Sequence, residues 1–248
     1  MGCECAKPRY YRAASEAELQ VSEYEDLLGY SKLNAADIWA VLQTSVDPFL
    51  PRNEMIAFLT ILNLNREGFD SPMRPLHSFY SFFRRNNTWD KRKLALLGLL
   101  LGHGSLASKI DILFSLHASP SALKVSELDH SLRDLLHISS LCLPSYAQYW
   151  LEAQNDAYKA DELMKYKEKL AIAVPDMVSM LENAIVPTGE TEVGREAFKT
   201  RMKGEVAGAL FSARQLRVVS LVVYRRGRKE RQRRQMVMSG EDLVVETD

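Results

Sequence analysis

The sequence predicts a mostly α-helical protein, and three observations carry that expectation. Apolar residues recur at helical spacing, most plainly between Lys91 and Leu136. There Ile112, Leu113 and Leu116, then Leu128, Leu132, Leu135 and Leu136, form one stripe per helix. Residues that cap helices stand ahead of several stripes, namely Ser15, Asn34, Asp90 and Ser105. Strand-favouring, β-branched composition is confined to Arg217–Tyr224, RVVSLVVY.

Taken in order, residues 1–30 read as an N-terminal arm. It opens Met-Gly-Cys-Glu-Cys-Ala-Lys-Pro, in which Gly2 is placed for N-myristoylation and Cys3 and Cys5 for palmitoylation. A single myristoyl chain holds a membrane only marginally, so a cysteine acyl group would supply the second signal for a stable anchor. Chance occurrence of Met-Gly-Cys is the alternative. The arm turns helical near Glu16, because Ser15 stands three residues before Glu18 in capping-box spacing.

Residues 31–187 read as a helical domain. Its first helix is expected over Asn34–Gln43, with Ile38, Trp39, Val41 and Leu42 inward. A loop with Pro48 and Pro51 follows, then a helix over Arg52–Leu64. Leu76–Arg84 carries an aromatic stripe of Phe79, Tyr80, Phe82 and Phe83, a pattern that suits a core. Asp90 caps the apolar helix Lys93–Leu101, Gly-His-Gly-Ser at 102–105 breaks it, and Ser105 caps the next. A third helix starts near Ser126. Further helices are expected from Pro144 to Tyr158, over Ala160–Leu170, and over Asp176–Ile185, with Pro175 as a kink or fresh start.

Residues 188–248 read as a C-terminal helix, Glu190–Phe211, followed by a basic tail. Composition favours a strand from Leu216 to Tyr224, with Leu243–Val245 as its hairpin partner across RRGRKERQRR. Continuation of the helix to Tyr224 is the alternative.

The run FSLHASPSALKVSELDHSL, from Phe114, resembles an EF-hand. It has an entering helix, a twelve-residue loop from Ala118 to Asp129, an apolar Val125 at loop position eight as a bolt between helices, and Asp129 at position twelve. The segment before it is similar to the linker of calcineurin B-like and neuronal-calcium-sensor-like proteins. Residues 34–64 and 76–101 are also hand-like, and the resemblance implies that two such hands pair. Calcium takes about 6–8 oxygen ligands, with carboxylates early in the loop and a glycine at position six. Ala118, Pro120, Ala122 and Leu123 replace them, and the loop TSVDPFLPRNE offers only Asp47 and Glu54, so neither loop is expected to bind calcium.

Hydrophobic residues make up 46% and charged residues 26%, as in ordinary globular proteins, and the formal net charge is zero. No apolar run approaches the roughly 18 residues of a membrane span, and no secretory leader is evident, which leads to the expectation of a cytosolic chain. Cys142 reads as a core residue. His77, His103, His117, His130 and His137 show no ligand spacing, so no metal or other cofactor is expected. No nucleophile elbow, phosphate loop, C-x-x-C or H-E-x-x-H occurs, so the chain does not read as an enzyme.

The basic residues Arg225, Arg226, Arg228, Lys229, Arg231, Arg233 and Arg234 could contact anionic lipid, an acidic protein or nucleic acid. No aromatic residue is interleaved to stack bases, which argues against nucleic acid. The expected function is therefore a non-catalytic adaptor or structural subunit. It is tethered to a membrane by N-terminal acylation and binds a partner protein helix in an apolar groove. A cytoskeletal or ciliary component without a membrane anchor is the alternative.

Overall fold

Polar side chains ahead of the apolar stripes set where the helices begin. The computed structural model describes residues 15–117 and 121–239, without the side chains of 205 and 234–239. Ser15 Oγ accepts from Glu18 N at 3.2 Å and opens α1 (Glu16–Leu27); Gly29, at φ 85°, ends it in the left-handed conformation. A 3₁₀ turn over Tyr30–Lys32 leads to α2 (Ala35–Gln43), where Asn34 Oδ1 accepts from Ala36 N at 2.9 Å. Next come β1 (Phe49–Pro51), α3 (Arg52–Ile61), α4 (Pro75–Ser81), β2 (Arg84–Arg85), β3 (Thr88–Asp90) and α5 (Lys91–Leu101). Asp90 caps α5 and Ser105 caps α6 (Leu106–Ser115), through bonds of 3.1 Å from Lys93 N and Ser108 N. Gly104, at φ 142°, makes the turn between them, in a backbone conformation open to glycine.

β4 (Ala122–Lys124) then feeds α7 (Val125–His137), which continues through a π-helical turn, Ile138–Cys142, into α8 (Leu143–Ala153). α9 spans Ala157–Ile185, and β5 (Glu192–Gly194), α10 (Arg195–Arg201) and α11 (Glu205–Gly208) follow. After a 3₁₀ turn over Ala209–Phe211, α12 runs from Ala213 to Ser239.

The short strands link helix–loop–helix units in twos. β1 pairs antiparallel with β3, placing Leu50 opposite Trp89, and β4 with β5, placing Leu123 opposite Val193. All four of these central residues are buried. β2 adds a third strand beside β3. The helices then pack around an aromatic and leucine core that includes Phe79, Tyr80, Phe83, Tyr146, Leu96 and Leu97.

The mostly α-helical expectation holds, with small antiparallel sheets added, and several details change. The bolt of the 118–129 loop is Leu123, since Val125 is only half-buried at the start of α7; residues 118–120 lie outside the described chain. Its strand partner comes from beyond residue 187, so β4 and β5 join the chain on either side of the boundary expected there. α1, read as part of an arm, packs on α8 and α9 with Val21 and Leu28 fully buried.

The helix expected over 190–211 is instead β5, α10 and α11, and Gly204 separates the latter two. Pro175 does not restart a helix, because α9 runs through it. It sits on an exposed face where water can take up the carbonyl of Ala171 that its missing N–H leaves free. Pro144 does not start a new helix either. The stretch read as a strand, 216–224, is helical, because Leu216 and Ser220 repeat at helical spacing against buried neighbours and tertiary burial overrides β-branched propensity. Its suggested hairpin partner, 243–245, lies outside the described residues.

Candidate functional site

Arg217 is the largest fully buried side chain among the described residues. A guanidinium without water needs its donors matched, and α1 supplies the match. Arg217 Nε and Nη2 donate to the two carboxylate oxygens of Glu18 at 2.9 and 2.8 Å, a bidentate fork. Nη1 donates to Glu25 Oε1 at 2.5 Å and to Ser139 O at 3.3 Å. Tyr166 of α9 donates its hydroxyl to Glu18 Oε2.

The π-helical turn makes the Ser139 carbonyl available. Leu143 N reaches Ile138 O, five residues back, instead of Ser139 O, and Pro144 has no N–H for Ser140 O. Burial opposes charge on Arg217, but Glu25 and Glu18 overcome it and hold the guanidinium protonated. Burial, with the Glu18 charge beside it, pushes the Tyr166 hydroxyl up, so it remains a donor. The clasp thus ties α1, α9, the 138–142 turn and α12 together.

In the sequence Arg217 reads only as the head of the strand-favouring stretch RVVSLVVY. The signal was there in the spacing. Glu18, Val21, Glu25 and Leu28 lie on one face of α1, and two acids on a buried stripe require a buried cation.

Beyond Tyr224 the helix leaves the core. Arg225, Arg226, Arg228, Lys229, Arg231 and Arg233 are exposed along α12, and all seven basic candidates share that helix, although the side chain of Arg234 is outside the described set. Gly2, Cys3 and Cys5 also lie outside the described residues.

The loop between α2 and α3 borders an open groove of about 400 Å³, whose lining includes Val41, Val46, Phe58 and Ile61. Val46 is 100% and Ile61 66% exposed, an unusual setting for aliphatic side chains. Lys91 Nζ donates to Ser45 O in that loop at 2.5 Å. The Glu54 and Asp47 carboxylates also act on this ammonium, against a burial effect that lowers its pKa.

The histidines do not converge. His130 bonds Ser126 O at 2.6 Å, His137 meets the ring of Phe82 edge-on, and His117 bonds Ser131 Oγ at 3.1 Å. Among the described residues no group of His, Cys, Asp or Glu could hold a metal ion, and no helix is long and apolar enough to cross a membrane. Cys142 is buried and free, with its thiol pushed up to about 12 by burial.

Compared with known family models, curated proteins and solved structures, the chain matches none.

Proposed function

We propose that the protein is a non-catalytic adaptor built from EF-hand-like units whose loops work without calcium. It binds the apolar face of a partner helix and is tethered to a membrane through acylation at Gly2 with Cys3 or Cys5. The observation that carries this reading is the pairing of helix–loop–helix units through short antiparallel strands, Leu50 with Trp89 and Leu123 with Val193. Support for the partner comes from the open groove beside the first loop, where Val46 and Ile61 stand in water. Support for calcium independence comes from the loop chemistry. Asp47 and Glu54 are the carboxylates of the first loop, and an ammonium is already bonded to its backbone at Ser45.

Photo-crosslinking from Val46 and Ile61 in extracts of the native cell tests the reading. The expected product is one partner, attached through an amphipathic helix, in equal yield with calcium or with chelator. Yield that depends on calcium, or crosslinks scattered over many proteins, would reject it. Intact mass of the native protein tests the tether: a myristoyl or palmitoyl increment supports it, and an unmodified mass moves the cytoskeletal alternative into first place.

A further inference from the structure

α12 has two halves of opposite character. From Ala213 to Ser220 its inner face is buried, and Arg217 is clasped to α1; from Arg225 onward its described side chains are exposed apart from the half-buried Gly227. Gly227 still lies beside α9, since a Cβ there would sit 3.6 Å from Asp176 Oδ2. A rigid root therefore carries a charged rod into solvent.

That rod is poorly matched to water alone. With about 100° per residue, the exposed cations at 225, 226, 228, 229, 231 and 233 spread over about 220° of the helix circumference. Arg225 stands one turn from Arg228 and Lys229, Arg228 from Arg231, and Lys229 from Arg233, and like charges at these spacings oppose helix formation. Glu230 is the one acid in the run. A dense array of anions would relieve the repulsion, and the clasp has already fixed the helix that must be held.

We propose that residues 225–233 of α12 adsorb to an anionic phospholipid surface. The choice of membrane over nucleic acid rests on the acyl-tether reading above and on the clasp. Glu18 lies four residues beyond the end of the 1–14 segment and is bonded to Arg217, so the segment bearing Gly2, Cys3 and Cys5 and the basic rod spring from one node. Fourteen residues of chain span at most about 50 Å, enough to bring both to one bilayer. From Arg225 to Gln235 the run carries no aliphatic or aromatic side chain, so the rod rests among headgroups without entering the acyl layer. Its attachment is electrostatic, and screening dissolves it.

The test uses the full chain made without acylation, so that adsorption and the tether are judged separately. Vesicles of phosphatidylcholine alone and of phosphatidylcholine with phosphatidylserine are sedimented with the parent and with the Arg228→Ala, Lys229→Ala, Arg231→Ala triple variant. These side chains are exposed, and matched circular dichroism shows that both proteins are folded. The parent should sediment with the anionic vesicles and be released near 1 M salt, where the screening length is about 3 Å. Each lost cation should weaken adsorption roughly fivefold and the triple variant roughly a hundredfold. Equal binding to both vesicle types, no binding to either at low salt, or an unaffected triple variant overturns the proposal. So does tighter binding of short double-stranded DNA or RNA than of vesicles at the same salt. An unmodified native mass alongside salt-sensitive adsorption would discard the tether and keep the surface.

Discussion

A cation with no water around it is stable only while its acids are in place, and the same holds for the acids. Arg217→Met removes the guanidinium and leaves Glu18 and Glu25 facing an apolar side chain, a change expected to cost about 3–5 kcal/mol in urea unfolding. Replacing all three together, as Arg217→Met with Glu18→Leu and Glu25→Leu, should restore much of that loss, because no charge is then left buried. If the single and triple variants unfold alike, the ion pairs do not set the stability of this corner.

His117 gives a pH dependence of definite sign. Burial, followed by the nearby Arg92 and against Glu127, pushes its pKa from 6.5 down to about 4, so it is neutral in the fold. Between those values the unfolded chain takes up a proton that the folded chain refuses, and stability falls as the pH drops through the window. His117→Gln should flatten that part of the stability profile; a profile as steep as the parent's would assign the acid sensitivity elsewhere.

Among the elements, the strand pairs decide which substitutions matter. Leu123→Asp would bury a carboxylate opposite Val193 and should cost several kcal/mol. Val125→Asp should cost far less. Val125 is half-buried, and as the first residue of α7 it occupies a helix start where an acid is favoured. Thermal melts of the two variants side by side would separate the strand bolt from the one expected at Val125. Lys91 belongs to this scale too. Lys91→Met strips the loop after α2 of its bond to Ser45 O, and hydrogen exchange of residues 44–54 should rise while that of β4 and β5 stays unchanged. A uniform rise would mean that the lysine acts on the whole fold.

Much of this level was legible in advance because it depends on local chemistry. Asn34, Asp90 and Ser105 cap where their side chains demand it, and Gly104 turns the chain between α5 and α6. What escaped was set by partners distant in sequence. Leu123 outranks Val125 because Val193 lies across from it, and 216–224 is helical because α9 and the 138–142 turn cover one of its faces.

Over the molecule as a whole, the candidate surfaces divide in the same way. The basic run was visible as composition, but its form as an exposed helix rooted in a buried clasp was not, since the root depends on acids at the other end of the chain. The paired loops make a whole-molecule expectation: melting should be the same with calcium as with chelator, and a clear upward shift with calcium would show an occupied loop. The clasp also has a consequence for biogenesis. Glu18 and Arg217 are 199 residues apart, so during synthesis at about 5–20 residues per second the acids of α1 wait roughly 10–40 s for their cation. Until then α1 has two carboxylates on the face it must bury, and the nascent chain carries its first helix undocked. A chain stopped after residue 212 should therefore be protease-sensitive at α1 although that helix is intact in sequence, and adding α12 as a separate peptide should protect it.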